Sequence, residues 1–192
     1  MTNYESRLSS SNAWVDPHSL PKYGDASDIA GNAPDYVKQL TNNVLGAYGV
    51  GEPSCFAHDV GKKIKMVELD IHRRGEKWQA TATVDLTVSP SMLNGAGVMH
   101  GGALCYVIDN CASLPLVALG LMQGTNGVGV SQVLNVFFHA PAALGSSLRI
   151  INTSVTLGGR VMTSKCEILE KSSEKLIASA LLSKMQPAQS KL

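Results

Sequence analysis

The sequence predicts an α+β domain in which a curved antiparallel sheet wraps one long buried helix. Three observations lead there. The stretch His100–Gly120 is apolar nearly all the way round, so it reads as a helix buried on every side. Two alternating runs precede it, and four β-like runs follow with no helix between them. Short breaks separate the later runs, and strands joined by short turns pair antiparallel. A wholly apolar helix must then be covered by the sheet that flanks it in sequence.

Each element has its own signal. Residues 1–34 are rich in Ser, Asn, Asp, Gly and Pro and read as an extended or partly disordered arm. Residues 35–61 form a short helix and linker. Val37, Leu40, Val44 and Leu45 share one face of a helix expected over Asp35–Ala47, with Gly46 and Gly49 as stops. The main domain spans 62–187. Lys62–His72 alternates through Ile64, Met66, Leu69 and Ile71, and Trp78–Val88 alternates again. The Arg73-Arg74-Gly75-Glu76 turn makes these a hairpin. Ser89–Met99 is a loop. In the long helix, Pro115 should produce a kink or an end. The last four strands are expected at Gly127–Phe138, Ser147–Leu157, Val161–Leu169 and Lys175–Met185.

Composition excludes several classes. The 192 residues, 44% hydrophobic, suit one domain plus an extension. Sixteen Lys+Arg against 15 Asp+Glu give a net charge of +1, which argues against a nucleic-acid or membrane-surface protein held by bulk charge. Cys55, Cys105, Cys111 and Cys166 form no CxxC pair, and the five histidines show no HExxH, so no metal is expected. The cysteines read as reduced thiols of an intracellular protein. Asp109, Asn110 and Pro115 interrupt the most apolar run, Ala103–Leu121, so no membrane span is expected. The Ser-rich N-terminus carries Glu5, Asp16, Asp25 and Asp28 with one arginine, Arg7. That balance favours the cytoplasm over mitochondrial import.

Three chemistries can be tested on motifs. Gly95-x-Gly97-x-x-x-Gly101 lies between a strand and a helix, but a dinucleotide fold needs parallel βαβ alternation that is missing here. No GxSxG elbow occurs. A carboxylate, a histidine or backbone dipoles must then carry any hydrolysis. Asp109 stands out, because an unpaired carboxylate in an apolar helix is costly to bury; the alternative is a structural acid bonded to a polar neighbour. Gly101-Gly102 at the helix start would let a ligand approach free N–H groups at the positive helix end; the alternative is a plain tight turn. His100 could act as a base by type, and reads better as the support of that turn.

Spacing then matters. Eight residues separate Gly101 from Asp109, about 12 Å along a helix. One chain does not readily bring both to one carbonyl, whereas two antiparallel copies of the helix would. A homodimer with sites at its interface is the expectation.

The stretch Asn94-Gly95-Ala96-Gly97-Val98-Met99-His100-Gly101-Gly102, continuing to Ile108-Asp109-Asn110, resembles the core motif of the hotdog-fold acyl-CoA thioesterases. Within them it is similar to the phenylacetate-pathway branch and the acyl-CoA thioesterase 13 type. The resemblance runs from about Lys62 to Met185 and includes Gly129-Val130-Ser131 through Asn135 to Ala140-Pro141-Ala142. It implies a hotdog fold and hydrolysis of acyl-CoA to free acid and coenzyme A, without a separate cofactor. It implies that Asp109 is base or nucleophile and that the Gly101 N–H polarises the carbonyl. Asn94 would hold water or thioester, Ser131 would place the water with Asp109 of the facing chain, and His100 would anchor the loop. Coenzyme A would lie near Gly102 and the Phe138-His139-Ala140-Pro141 segment, and near Gly158-Gly159-Arg160, with Ser183 nearby and Arg160 a phosphate contact. Dimers would pair into a tetramer. Leu104, Ile108, Leu116 and Leu119 are expected to line an acyl or aryl tunnel. Two departures stand out: an N-terminal arm beyond a minimal domain, and the bulk of Phe137-Phe138-His139. The rivals are a non-catalytic acyl-CoA binding protein of the same fold and a hotdog hydratase or dehydratase.

Overall fold

The structure, a computed structural model, describes residues 15–51 and 53–186. Residues 1–14 of the arm and residue 187 lie outside the described residues. Six strands form one sheet in the order β1-β2-β4-β5-β6-β3, every neighbour antiparallel. They are β1 (Lys65–Arg74), β2 (Lys77–Thr87), β3 (Val130–Phe138), β4 (Ser147–Leu157), β5 (Val161–Glu170) and β6 (Leu176–Met185). The helices are α1 (Asp35–Leu45), the single turn α2 (His58–Gly61) and the central α3 (Gly101–Gln123).

Burial of α3 organises the domain. Leu104, Val107, Ile108, Cys111, Ala112 and Leu114 are sealed against inward rows from the sheet, among them Ala80, Ala82, Val84, Ile150, Ile168 and Leu182. Period-2 strands supply exactly such rows, because alternate side chains point to one face. Burial of α3 is not uniform, however. Cys111–Gly120 is buried all round, while Gly101–Asn110 keeps a half-exposed side. The functional candidates sit on that side.

Three expectations change. Pro115 neither kinks out nor ends the helix, which runs on to Gln123 and closes on Gly124 in the left-handed region, φ +65°. Tertiary burial on every side outweighs the proline penalty, and the Ser164 hydroxyl donates to the Ala112 carbonyl at 2.5 Å in that stretch. At 23 residues, α3 is long and apolar enough by length and composition to cross a membrane. Most of that stretch is buried inside the fold instead, against the sheet and α1. Finally, β3 does not pair with the strand that follows it. It crosses to β6 and becomes an edge of the sheet.

The N-terminal region is seated on this core. Ala30 bridges Glu68 in parallel, and Asn32 both donates to Asp70 Oδ1 at 3.0 Å and accepts from the Ile71 N–H at 2.7 Å. α1 ends two residues before the expected Ala47 and continues as a π-helical turn, Gly46–Val50. A Cβ on Gly46 would stand 2.2 Å from Tyr23 Cγ, so only glycine lets the Tyr23 ring lie on this turn.

Candidate active site

Asp109 lies on the half-buried side of α3. With Ser113, Leu114 and Val117 it forms one helix face, at i, i+4, i+5 and i+8. That face opens on a cleft of about 290 Å³. α1 and its π turn close one wall with Val44, Leu45 and Tyr48; the start of β3 closes the other with Val128, Gly129, Val130 and Ser131. The cleft is apolar at the α1 end and polar where Asp109, Ser131 and Lys184 meet.

The Ser131 hydroxyl donates to Asp109 Oδ1 at 2.6 Å, the short range of a bond to a carboxylate. This corrects the expectation that Ser131 serves Asp109 of a facing chain: the pair forms within one chain. A register shift between Ser131 and Val133 explains it. The bulge turns Ser131 toward α3, the face that Leu134 and Val136 also occupy.

The second group lies at the helix start. His100 is the N-cap of α3, and its Nδ1 accepts from the Gly102 N–H at 2.8 Å. An accepting Nδ1 puts the proton of the neutral ring on Nε2. His100 thus spends its ring on capping, the supporting geometry. No protein acceptor for the Gly101 N–H lies among the described residues, and this donor points from the positive end of a 23-residue helix. Asn94 folds the preceding loop: its Oδ1 accepts from the Ala96 N–H at 2.9 Å and the Val98 N–H at 3.3 Å. That assignment leaves the Asn94 Nδ2 as a donor.

Phe138 belongs to this group. Its Cζ lies 3.4 Å from where a Gly101 Cβ would be. His139 and Ala140 donate their N–H groups to Ile177 O, His139 Nε2 meets Ser179 Oγ at 2.8 Å, and the Met99 N–H donates to Ala142 O beside Pro141. The Gly158-Gly159-Arg160 turn is exposed at the other end of the sheet, where the Gln186 N–H donates to Arg160 O. Ser183 Oγ lies 3.5 Å from Thr163 Oγ1 on that side. Phe138 pairs with Ala178 and Val161 with Met185, so the two expected coenzyme A segments are about 23 Å apart along β6. One chain therefore gathers Asp109, Ser131 and the Arg160 turn toward one end, and Gly101, Asn94, His100 and Phe138 toward the other.

The expected tunnel residues are corrected as well. Leu104, Ile108, Leu116 and Leu119 are sealed in the core, and the apolar cleft walls are Val44, Leu45, Leu114, Val117 and Val128. Sequence periodicity could not separate the helix faces here, because nearly every position of α3 is apolar.

The sequence reading also missed Lys184, which is 6% exposed and lines the cleft. Its Nζ donates to Ser113 Oγ at 2.8 Å, and Ser113 Oγ donates to the Asp109 carbonyl at 2.8 Å. Burial pulls the Lys184 pKa down to about 8, against an opposing attraction to Asp109. The signal was present: Ala178, Ala180, Leu182 and Lys184 fall on the inward phase of β6. Among the described residues no cluster of His, Cys, Asp or Glu could hold a metal ion.

Comparison with known proteins shows what the chain is similar to. Residues 96–177 match the family model for the thioesterase superfamily. Acyl-coenzyme A thioesterase 13 from Homo sapiens and from Pongo abelii are each 27% identical over 94 residues, 49% of this chain. The chain spans 64% of the length of those curated relatives. Zebrafish thioesterase superfamily member 2 superposes with a TM-score of 0.58 at 17% identity, over 75% of this chain and 94% of that one. The Mus musculus member 2 gives 0.57 at 19%, over 77% and 95%. A Streptococcus pneumoniae thioesterase protein solved with coenzyme A gives 0.51 at 21%, over 63% and 87%. Fold and match agree: the chain has the hotdog fold of these solved structures, and its residues 96–177 are similar to the thioesterase superfamily.

Proposed function

We propose that the protein hydrolyses acyl-CoA thioesters to a free acid and coenzyme A, at sites shared between two copies of the chain. The observation that carries this reading is the Asp109–Ser131 pair on a cleft, combined with an uncommitted Gly101 N–H at the helix start. In this reading the thioester carbonyl oxygen accepts from Gly101 N–H and Asn94 Nδ2. Ser131 and Asp109 hold a water against the carbonyl carbon, and Asp109 takes its proton as the new C–O bond forms. The negative charge on the former carbonyl oxygen rests at the α3 N-terminus. Collapse breaks the C–S bond, and the proton goes to the departing thiolate. In the covalent variant Asp109 attacks the carbon itself, and water then cleaves the anhydride.

A two-fold partner reconciles the split geometry. β3 is a free edge, and its exposed side chains include Val133 (49%), Phe137 (64%) and Phe138 (56%). An uncovered apolar edge strand invites pairing. Antiparallel pairing of two β3 strands about Leu134 sets the Phe138–Gly101 end of one copy beside the Ser131–Asp109 end of its partner. The Arg160 turn then joins the Phe138–Pro141 segment around one coenzyme A, with Arg160 on a phosphate. Pairing of dimers into a tetramer is part of the same reading.

The test is thiol release from a panel of acyl-CoAs by the native protein and by Asp109→Asn. Removing an acid–base group lowers turnover by roughly 100-fold or more. An unchanged rate in the variant would refute the assigned role. Release from none of the substrates would favour acyl-CoA binding without catalysis.

A further inference from the structure

We propose that Lys184 is a positioning residue of this site, which ties the Asp109 turn of the central helix to the sheet and balances the charge of its carboxylate. The inference rests on the hydrolase reading for its kinetic consequences, and on geometry for the coupling itself. A lysine on the inward row of a strand is an anomaly, because a buried charge is retained only with a compensating arrangement. Here that arrangement leads to the site. Lys184 Nζ donates to Ser113 Oγ, and Ser113 donates in turn to the carbonyl of Asp109, one helical turn back. Lys184 is also the cross-strand partner of Ser131, the residue that donates to the Asp109 carboxylate. Two neighbouring strands thus hold Asp109 from two directions, one through its carboxylate and one through its main chain.

The surroundings make Lys184 answer to Asp109. From α3 the cleft receives Asp109, from the π turn Tyr48, and from β3 Val130 and Ser131, while β5 places Met162 opposite Lys184. Asp109 is the anionic side chain lining the cleft. No ion pair within 4.0 Å joins the two among the described residues, so Lys184 acts on Asp109 through the field and through Ser113. Its charge state falls in the working pH range, since burial brings it to about 8.

Two measurements test this on the 192-residue chain. First, the Lys184 side chain is titrated by NMR in the native protein and in Asp109→Asn. A midpoint near 8 that falls further in the variant is expected; an unchanged midpoint overturns the coupling whatever the assays show. Second, Lys184→Met and Lys184→Arg are compared with the native enzyme over pH 6–10 (roughly two units either side of the lysine midpoint). Lys184→Met should lose roughly 10- to 100-fold in kcat with KM little changed, the scale expected for a misplaced catalytic group. Lys184→Arg should recover most of that loss and extend activity above pH 8, because its charge persists. Retention of kcat and of the native pH profile by Lys184→Met overturns the inference. Absence of hydrolysis in the native protein instead removes the hydrolase reading, and the NMR titration still decides the coupling.

Discussion

Replacing Lys184 with methionine should raise the stability of the fold at neutral pH while damaging the site. The ordinary lysine value is 10.5 and burial brings Lys184 to about 8. At about 1.4 kcal/mol per pKa unit, the folded state holds the ammonium at a disadvantage of about 3 kcal/mol. Methionine keeps the apolar stem and removes the charge. It forfeits the hydrogen bond to Ser113 Oγ, about 1 kcal/mol. The net gain at pH 7 is about 2 kcal/mol, or roughly 4–8 °C in Tm for a chain of this size. The pH dependence has a definite sign. Between about pH 8 and 10.5 the unfolded chain binds the proton more tightly than the folded one, so native stability rises with pH. The advantage of Lys184→Met is therefore complete below pH 8 and disappears as pH climbs toward 10.5. Urea unfolding at pH 7 and pH 10, at one fixed protein concentration because association shifts apparent stability, reads this directly. A variant less stable than the native protein by the same amount at both pH values would refute the reasoning, since Lys184 would then be an ordinary structural tie.

Other expectations follow from named contacts. Gly101→Ala meets only Phe138, at 3.4 Å, so its unfolding midpoint should stay within about 0.5 kcal/mol of native while thioester hydrolysis falls; equal activity would place the carbonyl elsewhere. Gly102→Ala brings a Cβ to 3.0 Å from His100 Nδ1, and disturbing that cap should cost about 1 kcal/mol in chemical denaturation. Val133→Lys, on the exposed β3 edge, should yield a folded monomer by sedimentation and lose activity with it; a variant still dimeric would put the interface on another surface. Burial pushes the Cys111 thiol up and the Cys166 thiol up to about 12. Both should resist a thiol reagent in the folded protein and react only in denaturant.

Much of the fold is legible in the chain because its signals are local. Alternation in Lys62–His72 and Trp78–Val88 carries the hairpin, although β1 begins at Lys65 and β2 ends at Thr87. The Ser147–Leu157 strand appears with its expected bounds. Ends fail where tertiary contact decides them: Tyr23 seats on Gly46 and α1 gives way to a π turn, and all-round burial carries α3 through Pro115.

By itself the sequence determined a buried apolar helix and six strands, and it singled out Asp109, Gly101 and His100 as candidates, with Asn94 and Ser131 added by the family resemblance. Periodicity, glycine placement and a lone carboxylate in apolar surroundings are properties of neighbouring residues, and they survive without coordinates. Only the tertiary structure decided which of these residues meet. The crossover that sends β3 to the sheet edge and the bulge after Ser131 join Ser131 to Asp109 in one chain. The phase of α3 chose Leu114 and Val117 for the cleft and buried Leu104 and Ile108. Lys184 shows the difference most plainly. Its place on an inward strand row could be read from alternation alone, but its tie through Ser113 to Asp109 links residues far apart in sequence, and only packing of β6 against α3 creates it.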